Sequence, residues 1–162
     1  MNIPTAIDQR SIMVRGAIST DGKSQLIRFQ GNVDAVRYQD EALQRSLLPF
    51  LAAHNRQMKF MHDGATPHTA RTTSAWLQQH RIELFGPWWP SKSPDMNPIE
   101  NAWGLIERRL RERHNPQNEN ELFDALRQEW DNLTVDYVRR LVLSMRRRVT
   151  ALFEARGGHT QY

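Results

Sequence analysis

The chain contains no cysteine. That excludes disulfides and thiolate zinc sites, and it fits a reducing compartment. No run of eighteen apolar residues occurs, so no segment reads as a membrane span and no membrane partner is expected. The first residues, Met1-Asn2-Ile3-Pro4, lack the basic and then apolar regions of a secretory leader. The expected location is the cytoplasm, with nucleoid association in a prokaryote. Internal repeats and low-complexity segments are absent too. Lysine is scarce: only Lys23, Lys59 and Lys92 occur, and the other basic residues are arginines.

What is present describes one soluble domain. The 162 residues are 39% hydrophobic and 25% charged, enough for a real core. Net charge is +4 and the isoelectric point is about 10. Arginine pairs with phosphate in a two-pronged geometry, so the bias suits a nucleic-acid partner. A GC-biased genome accounts for the same bias, and composition leaves both readings open.

Ile12 to Ser19 reads as a strand, Asp21-Gly22 as a two-residue hairpin turn, and Gln25 to Phe29 as the returning strand. Asp34 caps a predicted helix from Ala35 to about Leu48, with Val36, Leu43, Leu47 and Phe50 facing a core and Pro49 at or just past its end. Gln57 to Asp63 reads as a third strand, Thr69 to His80 as a helix with Trp76 and Leu77 inward, and Ile82 to Phe85 as a short fourth strand. Strand–helix–strand alternation implies parallel pairing. A proline-rich loop covers 86–97. Asn97 then caps a helix with Pro98 at its first position, Glu100 in its first turn, and Ile99, Trp103, Ile106 and Leu110 as its apolar stripe. Two further helices are predicted, about 119–133 opened by Asn118 and about 135–155 opened by Thr134 and stopped by Gly157-Gly158. The order β-β-α-β-α-β-α-α-α predicts an α/β fold: a mixed sheet flanked by helices.

Two acids stand out. Asp63 falls at a strand end before a small-residue loop, where open α/β sheets collect ligands and catalytic groups. Glu100 flanks the buried stripe of its helix. Each has a plainer role: Asp63 as a loop acid capping the next helix, Glu100 as the distal partner of a capping box opened by Asn97. As metal ligands, the two carboxylates offer only oxygen, which selects Mg²⁺ or Mn²⁺ over zinc. Such ions activate a water or hydroxyl and stabilise the leaving oxygen in displacement at phosphorus. His62 and His68 beside Asp63 keep a zinc alternative open, though no other His sits at regular ligand spacing. His68 is also placed to order the loop or touch a DNA phosphate.

Both motifs resemble those of DDE transposases of the Tc1/mariner and IS630 group. Asp63-Gly64-Ala65-Thr66-Pro67-His68-Thr69-Ala70 is similar to the segment around the family's second acid, with Gly for Asn and one extra residue before Pro67. Residues 89–103, Trp-Pro-Ser-Lys-Ser-Pro-Asp-Met-Asn-Pro-Ile-Glu-Asn-Ala-Trp, match the family's third-acid segment almost residue for residue, with Glu100 as the acid. The 36 residues between the acids slightly exceed the family's usual spacing. Ile12 to Ile18, Gly31 to Phe50, Ser144 to Arg148 and Gly157 to Tyr162 extend the resemblance over nearly the whole chain. It implies an RNase H-like fold, with residues 1–162 as part of the catalytic domain and 119–156 as its C-terminal helices. It also implies Asp63 and Glu100 as catalytic metal ligands, Mg²⁺ or Mn²⁺ as cofactor, and transposon-end and target DNA as partners. The reaction implied is DNA cleavage and strand transfer of the freed 3′-OH.

One expectation departs from the family. Its first Asp lies on the strand before the one matched by Ile12, in a Phe-x-Asp-Glu-like setting. Asp8 is the only acid upstream of Ile12, and neither its neighbours nor the turn residue Asp21 match that setting. The fold is therefore expected to lack the family's first strand. The chain is then a C-terminal half joined to another by frameshifting, or a truncated remnant. Its partner is the missing N-terminal half or another transposase chain, and a non-catalytic DNA- or transposase-binding regulator is the alternative function. Arg108, Arg109, Arg139, Arg140, Arg146, Arg147 and Arg148 form the candidate DNA surface, with no acid between 137 and 153. A solvated helix face is the plainer reading of the same residues.

Overall fold

The structure is a computed structural model that describes residues 2–3, 12–54, 58–85, 96–156 and 158. Asp8, Gln57, residues 89–95 of the third-acid segment, Gly157 and residues 159–162 lie outside the described residues. The chain divides into two compact units, Met1–Arg28 with Ser93–Tyr162, and Phe29–Lys92. No described helix is long and apolar enough to cross a membrane.

Among the described residues the strands form two small sheets in place of the single larger one expected. Strands β1 (Asn2–Ile3), β2 (Ile12–Arg15) and β5 (Ile27–Phe29) form one, in the order β1-β2-β5, with β1 antiparallel to β2. Strands β3 (Ile18–Ser19) and β4 (Gly22–Lys23) form the other, an antiparallel hairpin whose two-residue loop is Thr20-Asp21. The predicted turn is therefore shifted by one residue, because Gly22, at φ +146°, enters the strand itself.

The strand expected over Ile12–Ser19 breaks at Gly16-Ala17 for a visible reason. The Trp130 indole lies against Gly16 so closely that a Cβ there would stand 2.7 Å from its ring carbons. Ala17 turns into a local clasp, donating its N–H to Ser24 Oγ (2.9 Å) and accepting from Ser24 N–H (2.8 Å). Gly16→Ala is expected to destabilise the fold by about 1–3 kcal/mol, the usual cost of overpacking. A urea midpoint equal to the wild type's would contradict this packing.

Three helices enclose the core. Helix α5 (Pro98–Arg113) has Asn97 before it and Pro98 at its start, as expected. Its buried face, Ala102, Trp103, Ile106 and Leu110, meets Leu122, Leu126 and Trp130 of helix α6 (Glu119–Asp131). Burying each large side chain contributes about 1.5–3 kcal/mol. Asn118 caps α6 through the Glu121 N–H (2.9 Å), and Thr134 caps helix α7 (Val135–Leu143) through the Tyr137 N–H (3.2 Å). Lys23 closes the other end of α6, donating to the carbonyls of Asp131 (3.0 Å) and Leu133 (2.6 Å). Its burial lowers the ammonium pKa, partly offset by Asp131.

The single last helix of the sequence reading is two, α7 and α8 (Met145–Glu154), divided at Ser144. The Ser144 hydroxyl donates to Leu141 O (2.6 Å) and accepts from Arg148 Nε (2.9 Å). A serine bonded to its own helix's carbonyl competes with the backbone ladder. The final helix ends at Glu154, before the glycine pair.

In the second unit, Asp34 caps α1 (Ala35–Arg37) through the Arg37 N–H (2.8 Å). The helix then widens to i→i+5 turns over Tyr38–Leu47 and resumes as α2 (Leu48–Ala53). Pro49 sits in the first turn of α2, where its missing N–H costs little, so it does not end the helix. The wide turns also change which residues share a face. Tyr38, Leu43, Leu47 and Phe50 are buried, but Val36 is 68% exposed, against expectation. The expected third and fourth strands reduce to one parallel bridge, Phe60 to Leu84, with Phe60 N–H on Glu83 O and Phe85 N–H on Phe60 O, both 2.8 Å. The predicted helix between them is α3 (Thr66–Thr69) and α4 (Arg71–Gln79), with Leu77 buried and Trp76 stacked on His80 at 3.8 Å.

Candidate functional site

Asp63 lies three residues after the bridge residue Phe60, in extended chain leading to α3. Its side chain is half exposed. The carboxylate turns back onto its own loop, where Oδ1 accepts the Ala65 N–H at 3.1 Å. His68 Nδ1 lies 2.5 Å from the same oxygen and 3.3 Å from the Asp63 carbonyl. The His68 ring is buried, stacked on His62 (5.2 Å, 7° between planes) and tilted against Tyr38 (4.2 Å, 36°). The loop backbone is tied down as well, since Thr73 Oγ1, fully buried, donates to Pro67 O at 2.7 Å. Gln39 in turn donates to Thr73. The sequence reading placed His68 in the loop. It had no signal for Tyr38, twenty-five residues upstream of Asp63.

Glu100 lies in the first turn of α5, half-buried beside Ile99 and Trp103. Its backbone N–H bonds Asn97 O (3.0 Å), and Asn97 Nδ2 approaches Oε1 at 3.4 Å. Asn97 makes no side-chain cap to the helix backbone. Its amide is spent on Glu100, so the motif differs from an ordinary capping box. The next residue anchors this helix start. Asn101 Oδ1 accepts from Arg148 at 2.5 Å, and Asn101 O accepts the Tyr137 hydroxyl at 3.3 Å. Burial raises the Tyr137 pKa, with Arg109, Arg108 and Arg140 opposing, so the phenol stays a donor.

Asp63 belongs to the second unit and Glu100 to the first. Among the described residues no group of three or more His, Asp or Glu side chains converges as a metal cluster. Each acid taken alone suits a hard divalent cation. It is a carboxylate oxygen donor oriented by a neighbouring N–H group, the chemistry that Mg²⁺ and Mn²⁺ take.

The candidate DNA arginines divide. Arg140, Arg146 and Arg147 are exposed on α7 and α8. Arg108 is exposed on α5, and Arg139 is exposed while bonding Thr20 O (2.9 Å). Arg109 is partly committed to Glu129, a buried carboxylate also met by Arg113 and His114. Arg148 is 2% exposed and fastened to Ser144 and Asn101. It is a structural tie between α8 and α5, so its side chain does not face a DNA phosphate as expected.

Residues 2–123 match the protein family described as DDE superfamily endonuclease. The transposase of the Tcb1 element of Caenorhabditis briggsae is 35% identical over 153 residues, covering 94% of this chain and 55% of that protein. The transposase of the Tc1 element of Caenorhabditis elegans is 31% identical over the same shares. The chain thus spans about half the length of these relatives. The Mos1 transposase catalytic domain, solved with Raltegravir and Mg, superposes with a TM-score of 0.81 at 18% identity, covering 93% of this chain and 78% of that one. A Mos1 paired-end complex with the left transposon end gives 0.81 at 18% identity, covering 95% and 46%. At these identities the likeness shows the fold, which is RNase H-like.

Proposed function

The chain belongs to the DDE superfamily endonucleases, and from that premise we propose that it is part of a transposase catalytic domain that cleaves DNA and transfers its strands. Asp63 and Glu100 serve as the second and third acids of the family's triad. No residue of the given sequence matches the motif of the first acid, which in this proposal is supplied by a further segment of the transposase, in the same chain or another. The observation that carries this reading is the build of Asp63: a half-exposed carboxylate, in a family-matched segment, oriented by a buried histidine. A loop acid that served only as a cap would have no need of that support.

The residues present fit Mg²⁺ or Mn²⁺, with Asp63 and Glu100 as the ligands. When bound, the metal would supply Lewis-acid activation of a water or 3′-OH and charge stabilisation at phosphorus. The chain's own part is to hold two carboxylates oriented. Ala65 N–H and His68 fix Asp63, and Asn97 with the Asn101 anchor fixes the helix start that carries Glu100. Metal-dependent nicking of DNA, by this chain together with the segment that supplies the first acid, tests the proposal. Nicking that survives chelation by EDTA would overturn it.

DNA is the proposed partner, through Arg140, Arg146 and Arg147 on α7 and α8 and Arg108 on α5. Reversing Arg146 and Arg147 to Glu is expected to weaken DNA binding and to lower the salt slope of log K by about 2, one per lost phosphate contact. An unchanged slope would remove these residues from the DNA surface. The partner chain is proposed to be a second transposase chain or the segment carrying the first acid.

A further inference from the structure

Resting on the reading of Asp63 as a metal ligand, we propose that His68 is its positioning residue, held by Tyr38 and His62 in the tautomer that carries its proton on Nδ1. The tautomer follows from the partners. Nδ1 faces two acceptors and no donor, Asp63 Oδ1 at 2.5 Å and Asp63 O at 3.3 Å. Only an N–H at that position satisfies both. Nε2 is buried and has no hydrogen-bond partner among the described residues. A proton there would be a buried donor without an acceptor, which costs about 1–3 kcal/mol.

The ring has little room to choose otherwise. It is 1% exposed at the side chain, nearly parallel to His62 on one contact and tilted against Tyr38 on the other. Tyr38 is itself 3% exposed, on the wide-turn segment of the helix that precedes the loop. The loop cannot slide away, because Thr73 holds Pro67 and the His68 N–H holds Ala65 O at 2.9 Å. The result is two N–H groups, from Ala65 and His68, on one oxygen of a half-exposed carboxylate. An exposed Asp side chain otherwise samples several rotamers, and ligand placement tolerates little error. Residues that orient a metal ligand in this way typically contribute 10–100-fold to metal affinity.

The test begins without metal or substitution. In the full chain labelled with ¹⁵N-histidine, the neutral His68 ring is expected to show a protonated Nδ1 and a bare Nε2, with the Nδ1 proton signal lost in Asp63→Ala. A protonated Nε2 with a bare Nδ1 would overturn the proposal. The second measurement is Mn²⁺ affinity by electron paramagnetic resonance. His68→Asn places an amide N–H near the Nδ1 position and is expected to keep affinity within about three-fold. His68→Gln and His68→Ala are expected to lose about 10–100-fold. Equal affinity in all three would overturn the positioning role. Wild-type protein that shows the Nδ1 tautomer but binds no Mn²⁺ would overturn the metal reading of Asp63 and leave the His68–Asp63 pairing standing.

Discussion

Asp63→Ala and Glu100→Ala are each expected to lower the proposed Mg²⁺-dependent DNA nicking by at least about 100-fold in protein assembled with the first acid. Loss of a group that merely orients a ligand already costs 10–100-fold, so loss of the ligand costs no less. Asp63→Asn sharpens the test. It keeps the shape of the side chain and an oxygen to accept from Ala65 and His68, while removing the charge that binds a cation. Its melting behaviour is expected to stay within about 1 kcal/mol of the wild type. Nicking is expected to fall as far as in Asp63→Ala. An Asp63→Asn protein that still nicks would reduce Asp63 to a loop cap.

Trp130→Ala is expected to destabilise the first unit by about 3–5 kcal/mol, the cost of emptying a large core position. Trp130 is 1% exposed and meets three parts of the fold at once. Its ring stacks on Trp103 at 4.9 Å, its edge fills the space against Gly16, and its Nε1–H donates to Ser24 O at 2.9 Å. The cavity would adjoin Trp103, one turn from Glu100 on α5. Trp130→Phe keeps an aromatic ring and loses only the outer ring and the N–H, so its cost should be clearly smaller. Urea melts followed by far-ultraviolet circular dichroism decide the matter. Equal midpoints for the two variants would mean that the ring contact is not what stabilises the unit.

Local signals were legible in the sequence where local chemistry decides the structure. Asp34, Asn118 and Thr134 cap helices where their short polar side chains precede an apolar period. Asn97-Pro98 opens α5, and Trp103, Ile106 and Leu110 of its stripe are buried while Ile99 is only partly so. Parallel pairing around the Asp63 loop survives as the Phe60–Leu84 bridge. The departures have distant causes. The break at Gly16 depends on an indole 114 residues away, and the division at Ser144 leaves Arg148 reaching Asn101, 47 residues back. Arg148 looked like its neighbours because a run of arginines does not reveal which one turns inward. The wide turns over Tyr38–Leu47 displaced Val36 from the core and brought Tyr38 onto His68, and no period of 3.6 encodes that. At the candidate site, both proposed acids were visible as candidates from their motifs. The support around them was not, because tautomers, stacking and burial arise from packing.

Divalent-metal binding is the role proposed for Asp63 and for Glu100. Mn²⁺ titration followed by electron paramagnetic resonance, on wild type, Asp63→Ala, Glu100→Ala and the double variant, tests it most directly. Groups that act as one unit are strongly non-additive. Saturable binding by the wild type is expected, with a loss in each single variant nearly as large as in the double. Saturable binding that persists unchanged in the double variant would contradict it.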